Sequence, residues 1–187
     1  MDRICVYCGS RSGRGSAYAD ATAAFGRELV RRDLGLVYGG GGVGLMGALA
    51  ESVLDAGGTV VGVIPEALSE SERPPPDLTD LRVVDSMDAR KREMFRLSDG
   101  FVALPGGIGT LDELLETLTR AQLGIHDLPC GLLNVDGYYD DLLAFLDGAV
   151  DEGFLAPEHR QLLTVEEGSS ELLDAIEAAG PTGGNAE

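Results

Sequence analysis

Phe101-Val102-Ala103-Leu104-Pro105-Gly106-Gly107-Ile108-Gly109-Thr110-Leu111-Asp112-Glu113 runs from four apolar residues, through a proline and three glycines, into a stretch whose leucines recur at helical spacing. A short apolar run, a glycine turn and an amphipathic helix make one βα unit. The same succession appears earlier, where Gly35 to Tyr38 leads through Gly39-Gly40-Gly41-Gly42-Val43-Gly44-Leu45-Met46-Gly47 into another helical stretch. Working outward, strands are expected at Arg3 to Tyr7, Gly35 to Tyr38, Thr59 to Ile64, Leu81 to Val84, Gly100 to Leu104 and Cys130 to Asn134, with a further short one near Leu162 to Val165. Helices fall between them at Ala17 to Arg32, Leu45 to Ala56, Met87 to Ser98, Leu111 to Leu123, Tyr138 to Glu152 and Ser170 to Ala178. Strict alternation of this kind predicts an α/β fold: a Rossmann-like, doubly wound parallel sheet in a three-layer α/β/α sandwich, its strands buried on both faces. Residues 1–179 read as a single domain and 180–187 as a disordered tail. The segment from Glu66 to Asp80, with Ser-Glu-Ser-Glu-Arg and Pro74-Pro75-Pro76, is expected to be an irregular loop covering a site.

With 187 residues, 44% of them hydrophobic and 25% charged, the chain can bury one large core. Its formal net charge of −18 argues against nucleic acid or an anionic membrane as partner, since binders of phosphate backbones carry basic stripes. An anionic partner is therefore a small molecule met locally. The first residues lack the pattern of a signal peptide, and no apolar run approaches the roughly 20 residues that cross a bilayer, so a soluble, cytoplasmic protein is expected. Cys5, Cys8 and Cys130 are an odd number of cysteines and fit a reducing compartment. Cys5 and Cys8 lie three apart in a strand, so they should point to opposite faces and share neither a disulfide nor a metal.

Both glycine loops sit between a strand and a helix, where backbone amides and the helix dipole favour an anion. Gly39, Gly41 and Gly44 also satisfy G-x-G-x-x-G, but after the second strand rather than the first, and the alternative is that these glycines serve only a tight turn and close packing. In the second loop Pro105 fixes the exit from the strand, Gly106, Gly107 and Gly109 bare the backbone, and Thr110 offers a hydroxyl to a phosphate. Neither loop continues into Lys-Ser or Lys-Thr, which disfavours ATP hydrolysis.

Thr110-Leu111-Asp112-Glu113 also spells a capping box, in which Glu113 would reach back to the Thr110 amide. The stripe Leu111, Leu114, Leu115 and Leu118 puts Glu113 on the opposite side of its helix, where it caps, faces a cleft or faces another subunit. Met87, Arg90, Lys91 and Met94 share one helical face, so two cations sit among apolar neighbours. They are either snorkelling side chains or the positive charge that a phosphate or a catalytic carboxylate needs.

Taken together, Gly-Gly-Gly-x-x-Gly-Leu-Met-Gly, Met87-x-x-Arg90-Lys91 and Pro105-Gly106-Gly107-x-Gly109-Thr110-x-x-Glu113 resemble the LONELY GUY (LOG) family. The similarity runs from Cys8-Gly9-Ser10 through Ala121-Gln122-Leu123-Gly124 to Leu132-Leu133-Asn134 and Gly137-Tyr138-Tyr139. That resemblance implies a cytokinin riboside 5′-monophosphate phosphoribohydrolase, which releases an adenine-type base and ribose 5-phosphate, accepts AMP, needs no cofactor or metal and forms a homodimer. It implies catalytic roles for Arg90 and Glu113. It implies substrate binding by Glu72, Arg90, Lys91, Gly107, Ile108, Gly109, Thr110, Leu111, Asp112, Glu113 and Thr119, with further nucleotide contacts from Gly9, Ser10, Gly41, Gly44 and Met46.

Three other readings bear on the same residues. A pyridoxal-phosphate lysine decarboxylase would need a Schiff-base lysine, yet Lys91 is the only lysine and lies in an Arg-Lys-Arg run. A nonenzymatic nucleotide or molybdenum-cofactor carrier would keep the glycine loops without needing Glu113. An NAD(P)-dependent oxidoreductase leaves the second glycine loop unexplained. Neither His126 nor His159 falls in a glycine loop.

Overall fold

A computed structural model describes residues 1–180; the tail expected at 180–187 lies, beyond its first residue, outside the described residues. The elements are β1 (Arg3–Tyr7), α1 (Ala17–Arg31), β2 (Gly35–Tyr38), α2 (Gly44–Asp55), β3 (Val60–Pro65), α3 (Glu66–Glu72), β4 (Asp80–Val84) and α4 (Met87–Arg96). They continue with β5 (Gly100–Ala103), α5 (Ile108–Gln122), β6 (Cys130–Leu133), a 3₁₀ turn (Val135–Gly137), α6 (Asp140–Asp151), α7 (Pro157–Arg160), β7 (Leu163–Glu166) and α8 (Ser169–Ala178). All pairings are parallel, in the order β4-β3-β2-β1-β5-β6-β7. The chain winds outward from β1 in one direction through β2 to β4, then returns to β1's other side and continues through β5 to β7. This is the doubly wound sheet that the alternation predicts.

Alternation within β1 divides the core. Ile4, Val6 and Cys8 join Phe25, Leu29, Leu49 and Leu172 of α1, α2 and α8, whereas Cys5 and Tyr7 join Met94 and Leu114 of α4 and α5. Cys5 and Cys8 accordingly lie on opposite faces, and all three cysteines are free and buried. The central strands are buried throughout, but Leu81 and Val83 of β4 are 40% and 55% exposed. Two-sided burial fails at this edge strand, where one face is left open to solvent. Among the described residues no helix is long and apolar enough to cross a membrane.

Glu66–Glu72, expected to be irregular, is helical instead. Ser69 and Ser71 donate to the carbonyls of Glu66 and Leu68, three residues back, which lets polar residues close the turns without an apolar stripe. The helix ends where Arg73 takes φ +46° and Pro74 follows.

Arg32, just past the end of α1, ties the first helix to the last. Its Nε donates to Glu28 at 2.8 Å, its Nη1 to Asp174 at 2.7 Å and Glu177 at 2.8 Å, and its Nη2 to the Ser170 carbonyl at 3.0 Å. With the side chain 9% exposed, this fan of charge-assisted bonds is better shielded than a surface pair. Arg32→Ala should cost about 2 kcal/mol in urea denaturation with an unchanged m-value, and Arg32→Lys should recover only part, because one ammonium cannot span three carboxylates.

Candidate active site

Order reverses between β1 and β5, and in an open parallel sheet the crevice outside the strand ends at that point is where ligands bind. Val6 pairs with Val102 and Tyr7 with Ala103, so the loops that follow leave the sheet side by side. Gly9 holds them together: its amide donates to the Pro105 carbonyl at 3.1 Å, and its carbonyl accepts the amides of Leu45 and Met46 at 3.0 and 3.3 Å. A cleft of about 700 Å³ opens here. Its wall includes Gly9, Ser10, Met46, Glu72, Arg90, Asp112, Glu113 and the run Gly106 to Thr110.

The two glycine loops do different work. In the first, the amides of Leu45 and Met46 at the start of α2 are already bonded to Gly9, and the Gly42 amide donates to the Glu72 carbonyl at 2.7 Å. Its glycines admit neighbours. A Cβ on Gly39 would stand 1.9 Å from Nη2 of Arg90, one on Gly41 would stand 2.8 Å from Oε2 of Glu72, and one on Gly44, whose φ is +63°, would stand 2.4 Å from the Arg11 amide. Of the further nucleotide contacts expected in this loop, Met46 lines the cleft, and Gly41 and Gly44 do not. The close-packing reading fits them, because the chain's own atoms occupy the space that a ligand would need.

The second loop is left open. Helix α5 begins at Ile108 with Gly107 as N-cap, three residues earlier than the leucine stripe suggests, and its first intrahelical bond runs from the Leu111 amide to the Gly107 carbonyl. The amides of Ile108, Gly109 and Thr110 precede that bond, as the first turn of any helix requires, and all three residues line the cleft. A Cβ on Gly106 would stand 2.0 Å from Thr110 Oγ1, whereas one on Gly107 or Gly109 would meet no protein atom within 4 Å. Gly106 is therefore needed by packing, and Gly107 and Gly109 are not. Gly109→Ala should leave thermal stability within about 1 kcal/mol while weakening nucleotide binding roughly tenfold; Gly106→Ala should lower stability by about 1–3 kcal/mol. Melting curves and nucleotide titration of the two variants separate these roles.

The earlier helix start also overturns the capping box. Thr110 is the third residue of α5, buried, and no side chain caps the helix. Glu113 points into the cleft, 8% exposed, where Arg90 Nη1 donates to its Oε1 at 2.7 Å. Arg90 is held from behind by its Nε bond to the Val63 carbonyl at 3.1 Å. Glu113 Oε2 has no hydrogen-bond partner among the described residues. Burial pushes the Glu113 carboxyl above its ordinary range, and the charge of Arg90 opposes that shift. Across the cleft, Oε2 of Glu72 is buried and likewise without a partner.

Not every expected residue reaches this cleft. Lys91 leaves the same helix as Arg90 but bonds Asp112 at 3.0 Å and Glu116 at 2.6 Å outside it. These bonds, that to Glu116 foremost, raise its pKa and hold it as an ammonium, the wrong state for a Schiff base. Leu111 packs into the core on the α4–α5 face. Thr119 is exposed and lies nearer the C-terminal end of α5, its hydroxyl donating to the Leu115 carbonyl. The structure adds Tyr138, whose hydroxyl donates to the Gly106 carbonyl at 2.7 Å, and Arg11 and Ser12 of the loop after β1. Their neighbours Gly9, Ser10 and Gly137 belong to the matching stretches, but no local pattern gives these three a role, because β1 and β6 bring them to the cleft by pairing with β5 on either side.

A family model described as "Possible lysine decarboxylase" matches residues 46–176. The cytokinin riboside 5′-monophosphate phosphoribohydrolases LOG3 and LOG4 of Arabidopsis thaliana are 51% and 52% identical over 179 residues, covering 96% of this chain and 83% of theirs. A probable member from Oryza sativa subsp. japonica, LOGL9, is 53% identical over 175 residues, or 94% of this chain and 77% of its own. Among solved structures, the molybdenum cofactor carrier protein of Chlamydomonas reinhardtii superposes with a TM-score of 0.72 at 18% identity over 96% of this chain and 98% of that one. The molybdenum cofactor binding protein of Rippkaea orientalis gives 0.71 at 20%, over 95% and 96%. Likeness at that identity is one of fold. The sequence relatives go further: the chain belongs to the LOG family.

Proposed function

We propose that this protein hydrolyses the N-glycosidic bond of cytokinin riboside 5′-monophosphates, and of AMP, to the free base and ribose 5-phosphate. The observation that carries the proposal is the buried Arg90–Glu113 pair facing a cleft whose adjoining wall is the open N-terminus of α5. The amides of Ile108, Gly109 and Thr110 bind the 5′-phosphate with the helix dipole behind them, which fixes the ribose. Breaking the bond to the base leaves positive charge on the ribose ring, so a carboxylate beside C1′ stabilises the transition state. Glu113 supplies it. Arg90 holds Oε1, leaving Oε2 to orient the attacking water and take its proton, which the departing base nitrogen receives in turn. Glu72 accepts a hydrogen bond from the ribose or base through its unpartnered oxygen. Asp112 and Lys91 set the charge behind Glu113, and no cofactor enters.

Residues 1–179 act as one unit on this reading, in the cytoplasm, where the buried cysteines stay reduced. A homodimer belongs to the same proposal. Leu115 and Thr119 of α5 and Leu123, its C-cap, are spaced four apart, and Leu115, Leu123 and Ile125 are 40%, 67% and 63% exposed. A second copy on that face would cover them and place Thr119 at the junction; sedimentation should then return twice the chain's 19.6 kDa.

The assay is direct: incubate the protein with AMP and with N6-isopentenyladenosine 5′-monophosphate, and measure base and ribose 5-phosphate. Equal amounts of both products are expected. Binding without release from either substrate would favour a carrier, which needs the cleft but not a carboxylate at C1′.

A further inference from the structure

A nucleoside monophosphate brings nearly two negative charges into a chain whose formal charge is −18, and the walls of the cleft already contribute Glu72, Asp112 and Glu113. Arg90, the cation at its base, is committed to Glu113 and to the Val63 carbonyl. Lys91 is committed to Asp112 and Glu116. Without another cation, neutral amides and hydroxyls would have to hold the phosphate against that field.

Arg11 is placed differently. It lines the cleft from the loop after β1, and among the described residues its guanidinium has neither a hydrogen bond nor an ion pair. Its backbone is nonetheless firmly positioned. Gly9, two residues before, is bonded to Pro105, Leu45 and Met46, and the left-handed Gly44 packs so closely that a Cβ there would stand 2.3 Å from the Ser10 carbonyl carbon. The bond from Gly9 to Pro105 sets this loop directly against the Gly106–Thr110 run. A clamped backbone at the rim of the cleft, carrying an exposed and uncommitted planar fork long enough to reach in, suits a bidentate hold on a phosphate.

We propose that Arg11 is the phosphate-recognising residue of this cleft, and that it sets the preference for nucleoside 5′-monophosphates over the corresponding ribosides. The inference rests on the phosphoribohydrolase reading for the identity of the anion, and it assigns a residue that the family resemblance did not supply.

The test compares wild type, Arg11→Ala and Arg11→Lys in base release from AMP and adenosine, and in calorimetric binding of ribose 5-phosphate. Loss of charge-assisted bonds to a partly exposed anion should raise KM for AMP roughly tenfold or more in Arg11→Ala, with kcat changed by less than about threefold. The AMP-over-adenosine preference should narrow by the same factor. Ribose 5-phosphate affinity should fall in parallel, and Arg11→Lys should lie between the other two. An unchanged KM and ribose 5-phosphate affinity in Arg11→Ala would overturn the assignment, as would an equal rise in KM for both substrates, which signals a displaced loop. Ribose 5-phosphate binding keeps the two readings apart: if wild type released no base from AMP, the hydrolase would fail, yet an Arg11-dependent phosphate affinity would still stand.

Discussion

Replacing Glu113 by Gln is expected to lower kcat for base release from AMP by about 10³-fold, close to 4 kcal/mol in the barrier, with little change in KM. Gln has the size of Glu and can still accept the 2.7 Å bond from Arg90, so the cleft keeps its shape. What disappears is negative charge beside the reacting carbon and an oxygen able to take a proton from water. A KM effect without a kcat effect would make Glu113 a binding residue only. Retention of kcat within a few-fold would remove it from the chemistry.

Stability and pH dependence add independent readings of the same variant. Because burial raises the Glu113 pKa, the folded protein holds this proton more tightly than the unfolded chain does. The contribution of this group to stability is therefore complete below the ordinary carboxylate pKa and is lost as pH rises through the raised value. At neutral pH the ionised form is retained at a cost, so Glu113→Gln should melt within a few degrees of wild type despite leaving Arg90 without its counter-charge. In wild type the acid limb of kcat/KM should fall above the ordinary glutamate range, and it should vanish in the variant.

These residues also show what the sequence made legible. Strand and helix order followed from apolar runs and turn residues, and β1 and β2 came out with the bounds expected for them. Local patterns failed where the structure is decided by something other than an apolar period. Helix α3 is closed by serine hydroxyls, and α5 starts from a Gly107 N-cap with Gly109 in its first turn and no stripe. The first glycine loop shows the limit of a motif, since Gly39 and Met46 line the cleft whereas Gly41 and Gly44 do not. G-x-G-x-x-G describes a backbone that something approaches closely, and the sequence cannot say whether that is a ligand or another part of the chain. Here Arg90 crosses Gly39 and the β1 loop rests on Gly44. Arg11 escaped notice for the converse reason: nothing beside it in sequence predicts that β1 and β5 end together.

Arg90→Ala should be the more damaging change, because it affects folding and chemistry at once. Its partner is buried, with the two side chains 11% and 9% exposed, so truncation leaves Glu113 charged in a poorly solvated site or forces it to take a proton. Breaking a buried pair by removing one member costs about 3–5 kcal/mol, and the residual exposure puts the expectation at about 2–4 kcal/mol, measurable in denaturant. Turnover should fall by at least about 10²-fold even at temperatures where the variant is folded, since a Glu113 that is protonated or reoriented cannot stabilise charge at C1′. Arg90→Lys separates the two effects. An ammonium restores the positive charge but cannot bond both the Val63 carbonyl and Oε1 of Glu113 as the guanidinium does through Nε and Nη1. It should recover most of the stability and little of the turnover. Should Arg90→Ala instead melt like wild type while losing only affinity, the pair would not be the electrostatic support of Glu113, and Arg90 would belong with the substrate-binding residues.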